Sequence, residues 1–287
     1  MHLLSIYWDL NPELFHIGVF RIGYYNILFV LGFFVGYYIV KSFFKREGLP
    51  TSILEPLLYT LFFSAVIGAR LGHCFFYDDA GFYRNNPLEI LKVWEGGLAS
   101  HGGTLGCLIG VWLYVRKYGK KHGFNYIWLV DRIVIPTGLA ACFIRLGNLM
   151  NSEIYGVETS LPWGFIFARH GETLAKHPTQ LYEALCYFLT FALLMFLYKK
   201  YLPKLKDGFI TGLFFVCIFT SRFFIEFVKE TQVAFENDMS LYMGQWLSVP
   251  FVLGGLALMV YSIKWGKPSL LPSQPKYYTA PTDKKKK

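Results

Sequence analysis

Between Arg145 and Gly156 the sequence reads RLGNLMNSEIYG, which places an arginine, two asparagines and a glutamate within nine residues where a long apolar run ends. Ionisable groups at the edge of hydrocarbon are costly to keep, and they mark either a site or an ion pair. Arg145 and Asn148, three apart, share one helix face. Comparable groups recur elsewhere: Tyr25, His101 between Gly96-Gly97 and Gly102-Gly103, the trio Gln180, Tyr182 and Glu183, Arg222, and Gln245. Glu226 lies four residues beyond Arg222 and is placed to orient it. Two guanidinium forks can grip a phosphate through paired charge-assisted hydrogen bonds. A histidine can take a proton near neutral pH, and glycines beside it let backbone or lipid approach closely. Phosphate binding plus a base suggests chemistry on a phospholipid headgroup. The residues by themselves go no further.

The elements that must position these groups follow from hydropathy. With 287 residues, 54% hydrophobic and 19% aromatic, the chain is too apolar for an ordinary soluble domain. Seven runs near twenty residues, about 22–44, 54–77, 99–115, 125–149, 179–198, 208–228 and 243–263, predict an all-α integral membrane protein built as a seven-transmembrane-helix bundle. The first twenty residues include Asp9, Glu13 and His16 and lack the pattern of a cleavable leader, so the first span is expected to stay. Loops after the odd-numbered spans, with the C-terminal segment, hold 18 of the 28 lysines and arginines, which predicts the N-terminus outside and the C-terminus in the cytoplasm. That asymmetry accounts for most of the +9 charge, so no nucleic-acid partner is needed.

On this topology Arg21, Arg70, Arg145 and Arg222 fall toward the outer ends of spans, with Tyr25, His101, Gln180, Glu226 and Gln245. Snorkelling of long side chains explains a single arginine. It does not explain His101, Asn148, Asn151 and Gln180, which are short and carry little or no charge, so a polar cavity in one leaflet is the better reading. Asp131 and Arg132, in the inner half of span four, read as a buried ion pair. Residues 157–177 are too polar to span and predict a small extracytoplasmic cap on a catalytic domain of residues 1–264. Residues 265–287, rich in Pro, polar residues and Lys, predict a disordered basic cytoplasmic tail. The five cysteines lack ligand spacing and read as packing residues, so no metal is expected.

RLGNLMNSEIYG resembles the signature of bacterial prolipoprotein diacylglyceryl transferases, G-R-x-G-N-F-x-N-x-E-x-x-G. Five further blocks resemble that family and stand in its order: GARLG (68–72), WEGGLASHGG (94–103), HPTQLYEA (177–184), SRFFIEFVKE (221–230) and MGQWLS (243–248). Together they cover about residues 20–265. The resemblance implies a seven-span enzyme of the bacterial inner membrane, its site toward the extracytoplasmic leaflet. Its reaction moves the sn-1,2-diacylglyceryl group of phosphatidylglycerol to the lipobox cysteine of a prolipoprotein, giving a thioether and glycerol-1-phosphate. No metal or cofactor is implied.

Carried over residue by residue, the resemblance makes His101 the candidate base, with headgroup orientation as the rival role, and Arg145 and Arg222 the stabilisers of charge on the departing phosphate. Asn148, Asn151 and Glu153 match signature positions and are expected to fix Arg145 and the headgroup hydroxyls. Tyr25, Gly102, Gly103, Gln180 and Glu226 join the substrate-binding set, and Gly156 is expected to make a turn. Ile144 stands where the signature has glycine, Ser152 where glycine is common, and Lys229 where arginine is frequent. Two other readings compete: an anionic-lipid transporter or flippase, which needs a site reachable from both sides, and a non-catalytic scaffold, which would tolerate loss of His101 or Arg145.

Overall fold

The computed structural model describes residues 5–17, 20–76, 81–93, 97, 99–231 and 240–269. Trp94 to Gly96 and Leu98 of the block before His101, and residues 270–287 of the expected tail, lie outside the described residues. Apolar runs become long helices because a helix satisfies every backbone donor and acceptor within the segment. They are α1 (Tyr24–Arg46), α2 (Leu54–Phe76), α4 (Ser100–His122), α5 (Tyr126–Met150), α6 (Thr179–Tyr201), α7 (Phe209–Ile225) and α8 (Met243–Trp265); α3 (Phe82–Asn85) is a single turn. Six helical stretches, all but α4 among the long ones, are long and apolar enough to cross a membrane, as in a multi-pass membrane protein. The third expected span coincides with α4, which has the length. Its opening SHGGT and closing RKYGKKH dilute the apolar middle.

The chain forms two compact bodies, residues 1–39 with 131–269, and residues 40–130. In the first, α6 packs on α7 and α7 on α8. The α7–α8 contact is close because Gly212 and Gly255 face each other: a Cβ on either would come within 2.7 Å of the other's carbonyl oxygen. Between α5 and α6 the chain is mostly irregular, with strand β4 (Phe165–Phe167) paired in parallel with β1 (Ile6–Trp8). An antiparallel hairpin of β2 (Glu13–Ile17) and β3 (Phe20–Gly23) leads into α1. Leu149, Phe165 and Phe167 form a small apolar core under this region, with Trp8, Tyr155 and Leu181 against it.

At the opposite end of the same body Asp131 and Arg132 find partners beyond each other. The Asp131 carboxylate accepts from the Gly208 and Thr211 amides (2.7 and 2.8 Å), capping the start of α7, and from the Thr211 hydroxyl. Arg132 donates to the Ser269 carbonyl at 2.8 Å. Residues 266–269, read from sequence as the start of the tail, run back along Leu205–Asp207 through bonds from Asp207 N to Lys267 O and from Ser269 N to Leu205 O (both 2.9 Å).

In the second body α2 and α4 meet along small residues. A Cβ on Gly102 would strike the Gly68 carbonyl, and one on Gly106 the Ser64 carbonyl. Without Cβ atoms the two backbones approach closely, which is how helices associate where no hydrophobic force separates lipid from protein.

Candidate functional site

The signature segment begins on the last turns of α5 and leaves the helix at Asn151. Ser152 (φ 57°) and Ile154 (φ 62°) both take the left-handed conformation, which is uncommon for any side chain and a marked outlier for a β-branched one. Such backbone persists only when its surroundings hold it, and the first turn of α6 does so. Gln180 Nε2 donates to the Glu153 carbonyl at 2.7 Å, and Thr179 Oγ1 donates to the Ile154 carbonyl at 2.9 Å. Gln180 and Thr179 are wholly buried.

This turn aims side chains back at α5. Arg145 Nη1 donates to Asn148 Oδ1 (3.1 Å), Asn148 Nδ2 donates to Glu153 Oε1 (2.8 Å), and Asn151 Nδ2 donates to the same oxygen (3.2 Å). The other edge of Arg145 lies against Glu183 of α6, with Nε 2.8 Å from Oε2. The second Glu183 oxygen is 3.5 Å from Lys229 Nζ, which is also 3.6 Å from Glu226 Oε2. Tyr25 at the start of α1 packs over Gly147, where a Cβ would lie 2.7 Å from its ring. Its hydroxyl is within electrostatic reach of Glu153 and Arg145. The Tyr187 hydroxyl is hydrogen-bonded to Arg145 and within electrostatic reach of Arg222. Of the three cations Arg145, Arg222 and Lys229, Arg222 alone has neither hydrogen bond nor ion pair among the described residues.

Nine of the residues singled out in the sequence thus belong to one body: Tyr25, Arg145, Asn148, Asn151, Glu153, Gly156, Gln180, Arg222 and Glu226. Two roles change. Glu226 keeps the helical spacing, its N–H bonded to the Arg222 carbonyl, but its carboxylate lies 3.6 Å from Lys229 Nζ, three residues on, and makes no ion pair with Arg222 among the described residues. Gly156 makes no turn. It is bridged to Lys229 in an extended segment, and a Cβ there would run into the Val228 carbonyl, with the His177 and Thr179 side chains at 2.7 and 2.8 Å. Gln245 is buried at the start of α8, where its Oε1 accepts from Tyr242 N at 2.9 Å and its Nε2 donates to Phe223 O at 3.3 Å.

His101, Gly102 and Gly103 belong to the second body. The His101 imidazole is exposed in the first turn of α4 and makes no hydrogen bond among the described residues. Gly102 and Gly103 both turn toward α2, Gly102 on Gly68 and Gly72, Gly103 on Ala65 and Ala69. Arg70 is buried and donates to the carbonyls of Ile90 (2.9 Å) and Glu89 (2.5 Å), so it ties down the loop ahead of α4.

Beside the signature turn, Tyr155 donates to Glu172 at 2.9 Å and stacks on Phe167, while Lys176 reaches Glu230 (3.3 Å) and Glu172 (3.5 Å). Burial and the Glu172 bond hold the Tyr155 hydroxyl protonated, its pKa pushed up to about 12. Burial pulls the Lys176 pKa down, but Glu230 and Glu172 overcome it and leave it raised. Tyr182 Oη accepts from Trp163 Nε1 (2.9 Å) and shares a hydrogen bond with His177 Nδ1 (3.1 Å), and burial lowers the His177 pKa.

Sequence reasoning gave no role to Glu183, Tyr187 or Lys229. The available signal for Glu183 was a carboxylate set inside an apolar span, which demands a cation. Lys229 was readable as a partner three residues beyond Glu226.

A family model described as "Prolipoprotein diacylglyceryl transferase" matches residues 12–261. The chain is similar to the phosphatidylglycerol–prolipoprotein diacylglyceryl transferases of Tolumonas auensis (46% identity, covering 90% of this chain and 98% of that one) and Bacteroides fragilis (48%, covering 90% and 96%). It is also similar to that of Cupriavidus necator (34%, covering 95% and 99%).

Proposed function

The chain belongs to the prolipoprotein diacylglyceryl transferase family, and we propose that it transfers the sn-1,2-diacylglyceryl group of phosphatidylglycerol to the lipobox cysteine thiol of a prolipoprotein. On this reading the thiol gives its proton to a base and the sulfur attacks the glyceryl carbon bonded to the phosphate oxygen. That C–O bond breaks, its electron pair leaves with the phosphate as glycerol-1-phosphate, and a thioether remains. The observation that carries the proposal is Arg222, a cation with neither hydrogen bond nor ion pair among the described residues, in the same body as an Arg145 already held by Glu183 and Asn148. Arg222 is left to meet an anionic headgroup, and charge-assisted donors aimed at developing negative charge are worth about 3–4 kcal/mol each. Glu153, held by two amides, is placed to accept from the headgroup hydroxyls, and Tyr25 to bond the lipid.

The same reading makes α4 the seventh span, with the N-terminus outside, the C-terminus in the cytoplasm of a bacterial inner membrane, and the signature turn toward the outer leaflet. His101 is proposed as the base. Its imidazole is exposed and makes no hydrogen bond among the described residues, and a free thiol with a pKa near 8.5 needs a base at neutral pH. The test is purified protein in detergent with phosphatidylglycerol and a lipobox peptide, read by mass spectrometry. A diacylglyceryl mass gain on the cysteine that disappears in Arg145→Ala is expected, whereas no gain from folded protein overturns the proposal. If His101 is the base, the deficit of His101→Ala shrinks as pH approaches 8.5. A deficit independent of pH assigns it to orienting the headgroup.

A further inference from the structure

Glu183 is wholly buried, a location where an ionised carboxylate is costly unless cations and hydrogen bonds compensate it. It has two cations, one at each oxygen: Arg145 Nε at 2.8 Å from Oε2 and Lys229 Nζ at 3.5 Å from Oε1. With Glu226 beyond Lys229, the charges alternate along a chain that runs from α5 through α6 to the turn after α7. Each Glu183 oxygen thus faces a cation. The effect of Glu183 falls on Arg145. The guanidinium could present Nε and an Nη together as a fork, but Glu183 occupies Nε and Asn148 occupies Nη1. Tyr187 also hydrogen-bonds the guanidinium, so Arg145 is held by three neighbours in one orientation.

We infer that Glu183 is a positioning residue: it fixes the orientation in which the Arg145 guanidinium meets the substrate phosphate, and it shares itself with Lys229 so that neither cation is an uncompensated buried charge. The inference rests on the proposed reading of Arg145 as a phosphate-stabilising group. Glu183→Gln keeps the volume of the side chain but loses the clasp. Displacing a catalytic group by about 1 Å costs on the order of 100-fold in rate.

The experiment measures kcat and KM for phosphatidylglycerol, and thermal unfolding, in Glu183→Gln, Glu183→Asp, Arg145→Ala and two doubles, Glu183→Gln with Lys229→Met and Glu183→Gln with Arg145→Ala. Glu183→Gln is expected to lose about 100-fold in kcat with KM changed far less, and Glu183→Asp to recover part of it. The Lys229 double removes the excess buried cation, so it is expected to regain stability but not kcat. Adding Glu183→Gln to Arg145→Ala is expected to cost nothing further, because a positioning residue has nothing left to position. Near-normal kcat in Glu183→Gln, recovery of kcat in the Lys229 double, or a fully additive loss with Arg145→Ala each overturns the inference. An inactive wild type would sink the proposed function instead. Phosphatidylglycerol binding by the same variants would then decide the role of Glu183: equal losses in Glu183→Gln and Arg145→Ala support it, and undiminished binding in Glu183→Gln removes it.

Discussion

Replacing Gly156 by alanine adds one methyl at the most crowded point of the signature turn. An ideal Cβ there would stand 2.7 Å from His177 Cβ and 2.8 Å from Thr179 Cγ2, and closer still to the Val228 carbonyl oxygen. Ordinary contact begins near 3.4 Å, so the first two neighbours must retreat by 3.4 − 2.7 = 0.7 Å and 3.4 − 2.8 = 0.6 Å. They cannot do so freely. Gly156 N donates to His177 O (2.8 Å), Val157 N donates to Val228 O (3.0 Å) and His177 N donates to Val157 O (3.0 Å), so the crowded groups are the ones the local backbone is bonded to. Overpacking of this kind costs about 1–3 kcal/mol, and a weakened backbone bond adds about 1 kcal/mol. The displacement also passes to Lys229, which follows Val228 and contacts Glu183 and Glu226. Gly156→Ala in detergent should therefore unfold several degrees below wild type and transfer at least tenfold more slowly (order of magnitude from). Gly254→Ala, where nothing lies within 4 Å of the added methyl, serves as the control and should behave as wild type. If Gly156→Ala matched that control in melting temperature and turnover, the close approach described here would not govern the site.

Other substitutions probe neighbouring links. Ser152 sits at φ 57° with its buried hydroxyl unbonded among the described residues. Glycine there relieves a left-handed strain of about 1–2 kcal/mol against a smaller cost in unfolded-chain entropy, so Ser152→Gly should raise the melting temperature; a fall would show that the hydroxyl is stabilising. Asn148→Asp should be less active than Asn148→Ala, since it sets a carboxylate where the amide donates to Glu153 at 2.8 Å; the reverse order in the transfer assay would mean that this bond does not hold Glu153 for the reaction. Burial lowers the His177 pKa below its ordinary 6.5, so the unfolded chain takes up a proton first as pH falls. The stabilising contribution of neutral His177 is complete above 6.5 and is lost as pH drops toward the folded-state value. His177→Asn should flatten that part of the stability–pH profile, and an unchanged slope would assign it to other groups.

Much of this arrangement was legible because hydropathy and charge act over whole segments. The apolar runs predicted the six helices long enough to span, since any backbone in hydrocarbon must close its hydrogen bonds locally. The signature residues Arg145, Asn148 and Glu153 were legible as a group because two of them share a helix face and the third follows within a turn. What failed to read out was set by tertiary contact. Helical spacing joined Arg222 to Glu226, and the backbone keeps that spacing, but the carboxylate goes to Lys229 three residues on. A sequence pattern does not say whether a glycine serves a turn or a close approach, so Gly156 was assigned the wrong reason. Gly102 and Gly103 were read as openings for backbone or lipid, and the backbone they admit is that of α2.

The charges of the site explain why its arginines cannot be treated as equivalent. A buried cation is tolerated where an anion and hydrogen bonds replace the water it has lost. Arg145 has both, in Glu183 and Asn148, at the cost of most of its donors. Lys229 is held between Glu183 and Glu226. Among the described residues Arg222 has no such compensation, and it remains half-buried, where water can still reach it. An incoming phosphate would displace that water and meet a guanidinium whose donors are unclaimed among the described residues, while Arg145 would contribute a fixed direction instead of a flexible grip. Loss of Arg222 should therefore weaken phosphatidylglycerol binding more than loss of Arg145 does, and loss of Arg145 should fall more heavily on kcat. Steady-state kinetics of Arg222→Gln and Arg145→Gln decide this. Equal effects on KM and kcat in both would mean that the pairing pattern around the arginines does not divide their labour.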